Sequence, residues 1–185
     1  MSATPLTRLP PDEMPDALRE VWQTLNELTG EPTFVEVFAQ APAMLDFVMR
    51  QFYGDIFFGG QVDERYKQLA RLRLSQIHGC RTCNKQNVPG ALAAGFCESQ
   101  LAGMDAPTTD LFSEAELAVI DFAEQVALTN HDGKMDDDLY RRLAAHFDDA
   151  QICELGTVMA VIAGMAKLSF VLDLVDKEDY CPFAA

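Results

Sequence analysis

Apolar residues recur along this chain at spacings of three and four, and nowhere in the alternation a half-buried strand requires. Asp16 to Thr29 shows the pattern: Ala17, Leu18, Val21, Trp22, Leu25 and Leu28 form one stripe, stopped by Gly30 and Pro32. Such a stripe buries one side of a helix. Gly and Pro cut the rest of the chain into pieces of the same kind. Thr33 to Ala39 reads as a short helix or turn, and Pro42 to about Phe58 as a segment rich in Phe and Met, ended by Gly59 and Gly60. Asp63 is placed to cap a helix from Glu64 to Ile77. Gly79 breaks that helix and Cys80 opens the next, with an interruption expected at Pro89–Gly90 and an end at Gly95. Ser113 and Glu116 make a capping box for a helix to about Thr129. Asp136 to Ala145 is a further helix. Asp148 or Asp149 caps a long last one, from about Ala150 to Val175. The expectation is an all-α fold of about six to eight helices. Residues 1–15 read as a Pro-rich extended arm, 16–175 as the helical domain, and 176–185 as an acidic, irregular tail.

The 185 residues carry 29 acidic and 14 basic side chains, a net charge of -15. That excess argues against nucleic acid or an anionic membrane surface as partner, since both are polyanions. The start lacks the apolar core of a signal peptide. The most apolar stretch, Val158 to Val175, is broken by Lys167, Ser169 and Asp173 and reads as a buried core helix. A cytoplasmic protein is expected.

Five cysteines, odd in number and mostly far apart, do not make a secreted disulfide framework. Cys80 and Cys83 stand out because they open a helix. Unpaired N–H groups and a partial positive charge at a helix N-terminus stabilise a thiolate. A spacing of three places both sulfurs on one side of the first turn. One thiolate then attacks and its neighbour resolves the sulfenic acid as a disulfide. Arg81 and Lys85 are expected to add positive charge nearby. Two other readings stay open: half of a zinc site, for which no second Cys/His pair has the right spacing, and two incidental packed cysteines.

The stretch DERYKQLARLRLSQIHGCRTCNKQN resembles the core signature of the alkylhydroperoxidase D / carboxymuconolactone decarboxylase family, and FDDAQICELGTVMAVIAGMAKLSFVLDL resembles its closing helix. The resemblance implies that family's helical fold. It also implies a peroxidase in which Cys83 attacks peroxide and Cys80 resolves it. No organic cofactor and no metal is implied. The partners implied are a small-molecule peroxide, a thiol reductant, and further copies of the chain in a trimer or hexamer. The family's proton relay uses a Glu and a His at positions held here by Gln68 and Asn87, neither of which takes up a proton at neutral pH. Glu64, one turn before Gln68, and His78, two residues before Cys80, are the candidate replacements for the base. Gln68 and Asn87 are candidates for a structural hydrogen-bonded pair.

The departure from the relay keeps two further readings open. One is a non-catalytic or redox-sensing oligomer. The other is a carboxymuconolactone decarboxylase-like lyase, against which the retained cysteines speak. Among the remaining residues, Cys97 is expected in a loop, Cys153 in packing and Cys181 at an exposed tail. Phe52, Tyr53, Phe57 and Phe58 form an aromatic cluster suited to a core or subunit interface, the alternative being an apolar wall above the thiols. Glu154, inside an apolar helix, calls for a cation such as Arg71 or Arg73. His131 is expected in solvent.

Overall fold

The computed structural model describes residues 4–183. Among these, nine α-helices form and no strand. They are α1 (Asp16–Thr29), α2 (Thr33–Phe38), α3 (Pro42–Asp46), α4 (Glu64–Ile77), α5 (Arg81–Ala93), α6 (Glu98–Ala102), α7 (Glu114–Val126), α8 (Asp137–Ala144) and α9 (Asp149–Val171). The fold is all-α, as the stripes require, with one helix more than expected. The addition is α6, five residues long, whose cap is a cysteine: Cys97 N–H donates to Gln100 Oε1 at 3.1 Å. Of the expected extended arm, residues 1–3 lie outside the described residues, and the remainder includes a short turn at Pro11–Glu13.

α4 lies at the centre, with α5, α7 and α9 packed around it and α8 on α7. Its Leu69, Leu72 and Leu74 are wholly buried, beside Ile120 of α7 and Leu155 and Met159 of α9. Local signals set its start. Asp63 accepts the Arg65 N–H at 2.8 Å, and Ser113 with Glu116 closes the capping box of α7. After α3 the chain continues as a wider π-type helix, Phe47–Phe58. That segment buries Phe52 and Phe57 against Val158 of α9 and leaves Phe58 exposed.

Two expectations about helix ends need correction. α5 runs unbroken through Pro89 and Gly90. Lys85 and Pro89 both face solvent, so water can take the carbonyl that proline leaves unpaired. Gly90 is needed there because α4 comes close: a Cβ would stand 2.8 Å from Gln68 Oε1. α9 ends at Val171, because the chain turns through Asp173 at φ 52°.

α9 is long and apolar enough to cross a membrane. One side of it, through Ile152, Leu155, Val158, Met159, Ala163 and Phe170, is buried in this fold.

Beyond α9 the tail is not a loose end. Residues 176–183 strap across the α4–α5 junction. Glu178 N–H donates to Gly79 O at 2.8 Å, and Asp176 N–H donates to Thr82 Oγ1 at 2.9 Å. Cys80 and Lys177 form an isolated antiparallel bridge. Gly79 has φ 62°, and a Cβ on it would stand 2.6 Å from the Cys181 Cα. Only glycine serves a left-handed turn pressed that closely by another backbone.

Candidate active site

Cys80 is the N-cap of α5, and its Sγ accepts the Cys83 N–H at 3.2 Å. The two sulfurs are joined as a disulfide, with Cα atoms 5.2 Å apart. Cys80 is wholly buried and Cys83 only partly. Around them lies a small apolar cluster separate from the main core: Phe170 and Ala166 of α9, Val175 after it, and Cys181 and Phe183 of the strap. Among the described residues no group of three or more His, Cys, Asp or Glu could hold a metal ion.

The positive charge expected beside the thiols is committed elsewhere. Arg81 donates to Glu178 Oε2 at 3.1 Å and to Asp179 Oδ1 at 3.4 Å. Lys85 donates to the Thr29 carbonyl at 3.1 Å. The strap therefore brings three carboxylates, of Asp176, Glu178 and Asp179, to the helix end that carries the dithiol.

The candidate bases are placed as follows. His78 is fully buried. Its Nε2 accepts the Leu128 N–H at 3.0 Å, and its Nδ1 has no partner. Burial pushes its pKa down to about 4. Neither of its nitrogens is bonded to a cysteine. Its ring sits edge-on to Phe183 at 6.0 Å, so the residue helps hold the strap. Glu64 is exposed and accepts from Gln68 Nε2 at 2.9 Å. Gln68 and Asn87 are both buried but not paired with each other, contrary to expectation. Asn87 Nδ2 instead donates to Arg71 O at 3.4 Å. The oxygens Gln68 Oε1 and Asn87 Oδ1 have no partner. At the two positions where the resemblance implies a relay, both amides are buried with unused acceptors, a costly arrangement for groups that only fill space.

Sequence reasoning missed the strap, because no local pattern announces a contact a hundred residues away. It also misjudged three side chains. Cys153 faces solvent and Cys181 is buried, the reverse of expectation. Cys181 Sγ donates to His78 O at 3.1 Å. Glu154 pairs with Lys67, at 2.8 Å, rather than with Arg71 or Arg73. Arg71 is instead stacked over Tyr53, 5.2 Å from the ring centre, and Arg73 binds Glu124 at 2.6 Å. The aromatic cluster packs on Val158, apart from the residues around the thiols. Cys97 caps α6 and is exposed, its pKa lowered by bonds to Ser99 and the Gln100 backbone. His131 lies in solvent.

These features define an all-helical protein with a Cys80–Cys83 disulfide at the α4–α5 junction, in a fold shared with alkylhydroperoxidase D-like structures. Residues 42–125 match the Carboxymuconolactone decarboxylase family. It is 24% identical over 112 residues to uncharacterized protein YdfG of Bacillus subtilis (strain 168), covering 60% of this chain and 76% of that one. Against YnjA of Escherichia coli (strain K12) the identity is 28% over 114 residues, 61% of this chain and 62% of that one. Three solved structures share the fold. A candidate antioxidant defence protein AhpD from Agrobacterium tumefaciens has a TM-score of 0.64 at 23% identity, over 73% of this chain and 92% of that one. A cysteine-to-alanine variant of the debrominase Bmp8, in complex with 2,3,4-tribromopyrrole, has a TM-score of 0.73 at 16% identity, over 97% and 95%. A peroxidase-related AhpD core from Ralstonia eutropha JMP134 has a TM-score of 0.61 at 16% identity, over 96% and 95%.

Proposed function

We propose that this protein is a thiol-dependent hydroperoxide reductase that cycles Cys80 and Cys83 between dithiol and disulfide. The observation that carries the reading is the asymmetry of the pair: Cys83 reaches solvent while Cys80 is buried beside it. The accessible Cys83 thiolate attacks the outer oxygen of a hydroperoxide. The O–O bond breaks, an alcohol leaves after taking a proton, and Cys83 becomes a sulfenic acid. Cys80 then attacks the Cys83 sulfur, water leaves, and the disulfide forms. An external thiol reductant returns the two electrons, which suits a reducing compartment such as the cytoplasm. No base is bonded to either sulfur among the described residues, so activation falls to the N-terminus of α5. Exposed Met44, Phe47, Ile56, Phe58 and Val171 favour self-association into the trimer or hexamer expected from the resemblance.

A second reading is a redox sensor that forms the disulfide without efficient turnover. Gln68 and Asn87 at the relay positions favour it. Single-turnover oxidation separates the two. The reduced protein is mixed with cumene hydroperoxide, and loss of the Cys80 and Cys83 thiols is followed by peptide mapping. Disulfide formation much faster than oxidation of free cysteine supports the reductase. A rate equal to free cysteine excludes it and leaves the sensor. A halogenated pyrrole belongs in the same assay, since a structure of similar fold is that of a debrominase.

A further inference from the structure

Cys181 is a buried thiol that the mechanism above does not use, and the fold delivers it to the dithiol. The Cys80–Lys177 bridge and the Glu178 N–H to Gly79 O bond hold the strap against the start of α5. Gly79 leaves no room for a side chain between the two backbones at Cys181. The Cys181 Sγ is oriented by its bond to the His78 carbonyl. Cys80 and Cys181 are both buried members of one apolar cluster, and Cys83 packs against it at the rim. Cys97 and Cys153, by contrast, are exposed and outside that cluster.

We infer that Cys181 is a third redox-active thiol, the internal exchange partner of the Cys80–Cys83 disulfide. In the step, the Cys181 sulfur, having lost its proton, attacks Cys80 Sγ. The Cys80–Cys83 bond breaks and a Cys80–Cys181 bond forms. Cys83 leaves as a thiolate and takes up the proton. One disulfide and one thiol stand on each side, so no outside oxidant or reductant is consumed. The exchange has two consequences. It returns the accessible Cys83 to its thiol form, and it ties the C-terminal strap covalently to the start of α5. The inference rests on the Cys80–Cys83 pair being redox-active, but not on peroxide being its oxidant.

The test uses the full chain carrying Cys97→Ser and Cys153→Ser, so that exposed thiols form no side products. With Cys83→Ser added, the protein is treated with oxidised glutathione, alkylated in acid and mapped by mass spectrometry. The expected product is a Cys80–Cys181 crosslink with release of two glutathione molecules. Glutathione left on Cys80, with Cys181 fully alkylated, overturns the inference. Should Cys83→Ser fail to fold, judged by circular dichroism, the protein retaining Cys83 decides. It is oxidised with one equivalent of diamide and held at pH 8 before mapping. A growing Cys80–Cys181 population with Cys83 alkylated, absent in Cys181→Ser, is expected. A Cys80–Cys83 disulfide alone at every time sinks the idea. No peroxide enters either experiment, so failure here is distinct from failure of the peroxide-reductase reading.

Discussion

Arg81 follows Cys80 directly, yet its guanidinium is held by Glu178 at 3.1 Å. The cation nearest the dithiol in sequence is thus neutralised by the tail. Glu178→Gln frees that charge to act on the thiols. The pair is partly exposed, so the effect is modest, about threefold at most in thiolate population. The expected outcome is a faster reaction of reduced Cys83 with iodoacetamide at neutral pH. An unchanged or slower rate would show that Arg81 does not reach the thiols electrostatically.

His78 gives the fold a pH-dependent stability. The unfolded chain takes a proton at His78 below pH 6.5, whereas the folded protein does so only below about 4. Between those values the unfolded state holds more protons, so stability rises with pH. The contribution is complete above pH 6.5 and is lost as pH falls toward 4, by about 3 kcal/mol if burial acts alone. His78→Gln keeps an acceptor for the Leu128 N–H but cannot titrate. Urea unfolding at pH 4.5 and 7 should show a smaller pH difference in the variant than in the parent. An equal difference in both proteins would refute the account.

Gln68 and Asn87 stand where the resemblance implies a Glu and a His, and that pair can be introduced. Gln68→Glu alone places a carboxylate at a buried position whose neighbour across 2.9 Å is the Glu64 carboxylate. Loss of the amide donor and like-charge repulsion should destabilise that variant by roughly 1–3 kcal/mol. Adding Asn87→His supplies a group able to carry the proton. The double variant should regain part of that stability. It should also speed single-turnover peroxide oxidation by about a hundredfold, the lower range of general acid–base catalysis. If the double variant oxidises no faster than the parent, proton relay is not what limits this site.

What was legible in the sequence was local. α1 and α4 match their expected bounds because caps and stripes act within a turn or two. Even the Cys80 helix start was readable, since glycine and the cysteine spacing mark it. Three things were not. The α6 cap is a cysteine, a residue without a strong capping preference. The continuity of α5 through Pro89 depends on which side of the helix meets solvent. The strap depends on pairing between Gly79 and Glu178, on which neighbouring residues carry no information. The partner of Glu154 was misassigned for a related reason. Lys67, Arg71 and Arg73 all lie on α4, and the crossing of α4 by α9 chooses among them.

That choice yields a last prediction. Lys67 is 1% exposed, and its Nζ donates to Glu154 Oε1 at 2.8 Å and to the Ile56 carbonyl at 2.9 Å. Glu154 also accepts the Gln61 N–H at 2.8 Å and the Val62 N–H at 3.2 Å. Burial raises the carboxyl pKa, but Lys67 and the two N–H groups outweigh that and leave it below the ordinary value. One side chain thus joins α9, α4 and the turn between the π segment and α4. Glu154→Gln leaves the Lys67 ammonium buried with a neutral partner and should cost roughly 3 kcal/mol. Lys67→Met with Glu154→Gln removes both charges and should cost less than Glu154→Gln alone. The depressed carboxyl pKa adds stability present above the unfolded value and lost as pH falls through the folded one. The parent should therefore lose more stability than the double variant on acidification below pH 4.5. Denaturant titrations of the three proteins decide the matter: equal midpoints for the single and double variants would mean that Lys67 is solvated well enough to stand unpaired.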